Sequence, residues 1–151
     1  MGYYSGTVLG ITPSTTDDNY IVEGQTAEWG AITEVHWGGE VTTSTLMRTR
    51  VARGSGQAGA GTAGNTALLN PKDAAASLAF FTTYATTQPT LAVGDLFATS
   101  WNSHGGVVRW LAAPGEEFII IGKVTPDGDS TICNRNAVGT ALSSYGVIWR
   151  E

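Results

Sequence analysis

Short apolar runs separated by glycine-rich, polar breaks fill this chain, and almost nowhere does an apolar residue recur at the ~3.6-residue period of an amphipathic helix. The clearest runs cover residues 27–37, 45–53, 77–87, 95–101, 107–111, 118–121, 130–134 and 143–150. Each shows the twofold alternation or the compact apolar block of a strand. They are punctuated by Gly38-Gly39, Gln88-Pro89-Thr90, the 102–106 turn and Pro126-Asp127-Gly128-Asp129. The pattern predicts an all-β fold, a jelly-roll-like antiparallel β-sandwich.

Alternation also assigns faces. In 27–37 it sets Trp29, Ala31, Thr33, Val35 and Trp37 against Gly30, Ile32, Glu34 and His36. In 45–53 it sets Met47, Thr49 and Val51 against Leu46, Arg48, Arg50 and Ala52. The stretch 105–122 looks like the organising centre, because its two apolar runs flank a Pro114-Gly115 turn and read as two buried strands. The 118–121 run, Phe-Ile-Ile-Ile, is apolar at every position and so asks for cover on both faces. Residues 54–64, with five glycines at 54, 56, 59, 61 and 64, read as a loop that is mobile or held by a partner. Residues 71–76, after Asn70 and opening on Pro71, predict a single helical turn. Residues 1–26 show only short strand-like pieces such as Tyr20-Ile21-Val22. They predict an extended N-terminal arm attached to a sandwich domain at 27–151, with Tyr3, Tyr4 and Tyr20 as its anchors on another chain.

Composition narrows the function. Charged residues make up 14% of the 151, against ~25% in ordinary soluble domains, which suits a protein packed against neighbours. The net charge of −5, with Lys72 and Lys123 the only lysines, argues against nucleic acid as a partner. No apolar run approaches the ~18 residues of a membrane span, and Met1–Ser5 lacks the basic start of a signal peptide. Cys133 is the sole cysteine, which excludes an intrachain disulfide and reads as a small buried hydrophobe.

Candidate chemistry is sparse. His36 and His104 are the only imidazoles, and neither lies in a motif with a serine or with Cys133, so the expectation is a protein without enzymatic activity. Metal-ligand spacing is absent, and Asp127-Gly128-Asp129 lacks the further ligands of a calcium loop; no metal or cofactor is expected. The G-x-G-x-x-G matches at 54–59 and 59–64 have no βαβ context. Glu116-Glu117 reads as the solvated end of a turn. Trp29, Trp37, Trp101, Trp110 and Trp149 fill the core or a subunit contact, or else form a glycan platform. Arg48, Arg50 and Arg53 form either a solvated face or a cationic stripe for an acidic protein surface. Two-sided apolar strands in so uncharged a chain predict self-association through Trp110, Phe118 and Ile120.

From Leu46 onward the order of features resembles a family of small structural proteins of tailed bacteriophages, the head decoration or cement proteins. The resemblance lies in Leu46-Met47-Arg48-Thr49-Arg50, the Gly/Ala/Thr-rich loop, Leu69-Asn70-Pro71-Lys72-Asp73, Thr86-Thr87-Gln88-Pro89-Thr90, Arg109-Trp110-Leu111-Ala112-Ala113-Pro114-Gly115-Glu116 and Val147-Ile148-Trp149-Arg150-Glu151. It implies a jelly-roll-like sandwich that trimerises on the outer surface of a virion and bridges subunits of the major capsid protein. A carbohydrate-binding module and a tail- or fibre-associated protein are the other classes compatible with the residues.

Overall fold

The computed structural model describes residues 1–25, 29–122 and 130–151, and among these no helix forms. Thirteen strands follow one another: β1 (Tyr3–Ile11), β2 (Asp18–Glu23), β3 (Gly30–Gly39), β4 (Leu46–Ser55), β5 (Gly61–Ala63), β6 (Asn65–Leu68), β7 (Ala79–Tyr84), β8 (Thr90–Leu91), β9 (Phe97–Asn102), β10 (Val107–Leu111), β11 (Phe118–Ile120), β12 (Thr131–Val138) and β13 (Ser143–Arg150). They form two antiparallel sheets. The first runs β10-β3-β13-β1-β6, with β11 also beside β3; the second runs β5-β7-β2-β12-β4, with β8 and β9 both beside β4.

The sheets pack face to face over one core. Tyr4, Val8, Ile32, Val35, Trp37, Tyr145, Val147 and Trp149 of the first meet Tyr20, Val22, Met47, Val51, Phe80, Trp101 and Ile132 of the second. Aromatic rings run through the core: Trp149 stacks on Tyr4 of its own sheet at 5.9 Å and on Phe80 of the other at 6.2 Å, and Phe80 meets Tyr20 beside it at 5.7 Å. Burying each such side chain contributes about 1.5–3 kcal/mol. The alternation in β13 and β4 gives the faces seen, with Tyr145, Val147 and Trp149 inward on one and Met47 and Val51 inward on the other.

In β3 the alternation fails because of a bulge. Ile148 pairs with Glu34 and Trp149 with Ile32, which leaves Thr33 over and moves Ile32 onto the core face alongside Val35 and Trp37. Glu34 and His36 stay on the outer face, as expected.

The N-terminal arm is a misreading that the fold corrects. β1 lies between β13 and β6, and β2 lies between β12 and β7 with every residue buried. Tyr4 and Tyr20 are 4% and 0% exposed, so both are core residues and neither anchors a partner. The inward set in β1 is Tyr4, Gly6 and Val8, and the glycine at its centre, filled by the Phe80 ring, hides an ordinary period-2 strand. What departs from the compact frame is the segment between β4 and β9. It adds β6 to the first sheet beside β1, and β5 and β7 to the second beside β2.

Two smaller expectations change as well. Gly54 and Ser55 belong to β4 and residues 61–63 to β5, so much of the glycine-rich stretch is held by this chain itself. Residues 71–76 make no helix; the Asn70 side chain accepts from the Lys72 amide at 3.2 Å and forms a turn. The expected turn at 126–129 lies outside the described residues.

Candidate interaction surface

The 105–122 stretch is the largest surprise of position. Its two apolar runs are not a buried hairpin, because β10 and β11 pair with the same strand, β3, in the same direction: β10 along Glu34–Gly38 and β11 along Gly30–Ile32. Together they form one interrupted edge of the first sheet. The Pro114-Gly115 turn, with Gly115 at φ 86°, belongs to a short excursion that leaves the sheet opposite the Thr33 bulge, where the Ala112 amide donates to the Thr33 carbonyl at 2.9 Å. Glu117 closes this excursion. Its carboxylate accepts from the Gly115 amide at 3.0 Å and pairs with Arg150 at 3.3 Å, so it is a tether and not merely a solvated charge.

Edge position splits the two faces of this segment. Inward, Trp110 and Phe118 stack at 4.1 Å, and Phe97 links Trp110 to Trp37. Trp110 and Phe118 are half-buried at the margin of the core, while Ile120 is 0% exposed and belongs to the interior. Outward stand Val107 at 79% exposure, Arg109, Leu111 at 63% and Ile119. Of the expected contact residues near this edge, only Trp110 and Phe118 retain surface.

Beside the edge, Arg109 donates from Nε and Nη2 to the two carboxylate oxygens of Glu34, both at 2.7 Å. That paired hydrogen bond holds the Glu34 carboxyl below its ordinary value, outweighing the opposing effect of burial. His36 Nδ1 lies 3.5 Å from the same carboxylate. Its ring rests on Gly146 of β13, where any Cβ would collide with it. A depression of about 210 Å³ opens on this outer face, lined by Leu9, His36, Gly38, Val107 and Ser144 among others. With Tyr3 and Leu9 of β1 also exposed, apolar side chains stand on the outer face of the first sheet at β1, β10 and β11, among polar ones such as Thr7, His36 and Ser144.

The arginines divide. Arg48 is exposed beside Ser100 and Arg50 lies 3.7 Å from Asp95, both on the outer face of the second sheet as their spacing predicted. Arg53 has the opposite parity, and its Nη2 donates to the Ile119 carbonyl at 2.9 Å, tying the two sheets together instead of extending a stripe.

Residues with chemical potential elsewhere are spent on structure. Cys133 is fully buried under Ile21, Tyr84, Phe81 and Leu91, and burial pushes its thiol well up, which suppresses the thiolate a nucleophile requires. His104 sits in an exposed turn with its Nδ1 3.1 Å from the Val41 carbonyl. Among the described residues no group of His, Cys, Asp and Glu is arranged to hold a metal ion.

The feature that sequence reading missed is the buried polar wiring of β2 and β12. Asp18 accepts from Arg135 Nε and Nη2 at 2.9 and 3.0 Å, and Arg135 also donates to the Pro89 carbonyl at 2.8 Å. Glu23 accepts from the Tyr84 hydroxyl and, at 3.2 Å, from Gln57. Asn136 Oδ1 accepts from Asn19, Thr49 and Tyr145 at 3.1, 2.9 and 3.0 Å. The one signal was the polar spacing Asn134, Arg135, Asn136, which reads as a strand end until the partners are in place. No protein-family model matches this sequence, and no curated protein matches it.

Proposed function

We propose that the chain is a non-enzymatic structural protein of a tailed-phage virion, a head decoration or cement protein that binds the outer capsid surface as a homotrimer and bridges major capsid subunits. The observation that carries this reading is the set of exposed apolar side chains on the outer face of the first sheet: Val107, Leu111, Ile119, Leu9 and Tyr3. So much apolar surface on a domain this poor in charge favours burial against other chains.

The strand order supports the jelly-roll part of the reading. Counting β1, β2, β3, β4, β9, β10, β12 and β13 as a frame numbered one to eight, the sheets run 1-8-3-6 and 2-7-4-5, the wrapping of a double-sheet jelly roll. That architecture serves viral capsid and lectin domains alike, so the site has to decide between them. Trp37, Trp101 and Trp149 are buried and Trp110 is half-buried, leaving Trp29 alone well exposed; a row of stacking tryptophans for sugars is therefore missing. The features shared with decoration proteins from Leu46 onward weigh the same way.

The test is to add the purified chain to heads of the source phage from which it has been stripped. Saturable co-sedimentation, a trimer by light scattering and heads that resist heat better are the expected results. Failure to bind heads, with binding to tails or to glycans instead, overturns the reading.

A further inference from the structure

We propose that the outer edge of β10 receives an extended strand from a partner protein, laid antiparallel to Val107–Leu111, with an acidic residue opposite Arg109 and apolar residues opposite Val107 and Leu111. This rests on the docking role above and specifies the chemistry of one contact.

Backbone geometry supplies the first support. The Gly39 amide donates to the Gly106 carbonyl at 3.1 Å and the Ala112 amide to the Thr33 carbonyl at 2.9 Å, which fixes the phase of the β10–β3 ladder. In an antiparallel ladder residues alternate between facing the partner strand and facing away. Val108 and Trp110 therefore bond to β3, while the N–H and C=O groups of Val107, Arg109 and Leu111 point off the sheet. Among the described residues no strand pairs with that edge.

Natural edges are blunted by lysines, prolines, bulges or extreme shortness. β10 has five residues in unbroken register and contains neither lysine nor proline. The residues offering free backbone groups are the same ones whose side chains, Val107, Arg109 and Leu111, stand on the exposed outer face. Backbone template and side-chain readout thus coincide.

Charge identifies the occupant. A second copy of the chain paired with β10 about a twofold axis in full register sets Val107 against Leu111 and Arg109 against Arg109. Like charges directly opposite destabilise a sheet pair. The edge accordingly disfavours itself. Glu34 fixes the guanidinium through Nε and Nη2, leaving Nη1 without a partner among the described residues on a side chain that is 63% exposed. A carboxylate opposite Arg109 on an added strand completes that fork at little cost in side-chain ordering.

The probes are blocked nine-residue peptides of alternating valine and threonine with Glu, Gln or Lys at the centre. They are titrated onto the intact chain and followed by amide shifts in nuclear magnetic resonance. The Glu peptide is expected to bind, with the largest shifts at Val107, Arg109 and Leu111, and about tenfold more tightly than the Lys peptide. Arg109→Ala should erase that preference. N-methylation of the peptide nitrogens that face β10 should abolish binding, while methylation of the alternate nitrogens should leave it, a readout that requires no protein variant. Equal affinity of the Glu and Lys peptides, indifference to the site of methylation, shifts elsewhere, or no binding of the Glu peptide at millimolar concentration overturns the proposal. So does concentration-dependent self-pairing at β10 without peptide. Head binding that persists while the peptides fail removes the strand contact alone; peptide binding without head binding removes the virion reading alone.

Discussion

β2 and β10 invert what their compositions suggest. Asp18-Asn19-Tyr20-Ile21-Val22-Glu23 begins and ends on a carboxylate, yet every residue of it is buried. Val107-Val108-Arg109-Trp110-Leu111 is apolar but for one arginine, yet no residue of it is fully buried. The difference is position in the sheet. β2 is flanked by β12 and β7 and covered on its outer side by the segment around Tyr84 and Leu91, whereas β10 has, among the described residues, a neighbour on one edge only. Burial of β2 is possible because its two carboxylates and the Asn19 amide nitrogen meet partners: Asp18 with Arg135, Glu23 with Tyr84 and Gln57, Asn19 Nδ2 with Asn134 and Asn136, which leaves only the Asn19 Oδ1 and the Tyr20 hydroxyl of this strand without one among the described residues. A strand's place in the sandwich outranks its mean polarity once its charged groups are paired.

Breaking the match should therefore undo the interior strand first. Arg135→Ala leaves the Asp18 carboxylate buried without its counter-charge and frees the Pro89 carbonyl, and a loss of roughly 3–5 kcal/mol is expected. Urea unfolding of the intact chain checks it. A loss below 1 kcal/mol would mean that the pair is interchangeable with water, and the contrast between β2 and β10 would lose its explanation.

How far the fold was legible follows the same division. Strands with a clear twofold alternation, such as β4 with Met47 and Val51 against Arg48 and Arg50 and β13 with Tyr145, Val147 and Trp149 against Ser144 and Gly146, declared both their existence and their faces. β1 did not, because Gly6 stands at a core position whose volume is supplied by Phe80 from the other sheet, a long-range fact that local periodicity does not carry. β12 extended beyond the expected strand, which ended at Asn134, because Arg135 and Asn136 look like the start of a polar loop until their partners are known. At the candidate surface, sequence located the segment and its aromatic residues but placed it inside, since an apolar run reads the same on an edge as in the centre. The division of Arg48 and Arg50 from Arg53 was already contained in their parity.

The next largest effect should come from Asn136. Asn136→Ala removes the acceptor shared by Asn19, Thr49 and Tyr145, orphaning donors that are buried, and about 3 kcal/mol is the expected loss. Asn136→Asp keeps the acceptor but loses the Nδ2 donor to the Gly139 carbonyl at 3.0 Å and buries a charge, so it should be costly as well, and urea unfolding of both variants checks it.

Asp18 sharpens the comparison through pH. Burial outweighs the Arg135 pair and pushes its carboxyl from 3.8 up to about 6. A folded value above the unfolded one means that the native state binds the proton more tightly. The group's contribution to stability is thus fully present below 3.8 and is lost as pH rises through about 6. Relative to Asp18→Asn, the parent chain should gain stability as pH falls from 7 towards 4, measured by urea midpoints at matched ionic strength. The opposite slope would show that the ion pair dominates desolvation.

The smallest effect on stability belongs to β10, where it is the contrast with binding that informs. Leu111→Thr exchanges a side chain that is 63% exposed for a β-branched polar one of good strand propensity, so a change within about 0.5 kcal/mol is expected. Its outward backbone groups are untouched, and the ladder to β3 runs through Val108, Trp110 and Ala112, so the strand stays formed. Docking should nonetheless weaken several-fold, because an apolar residue of the added strand loses the side chain it would cover. Thermal unfolding and peptide titration on one sample give both numbers. A large stability loss with unchanged docking would assign Leu111 to the core after all, and the edge would then be as interior as its sequence first suggested.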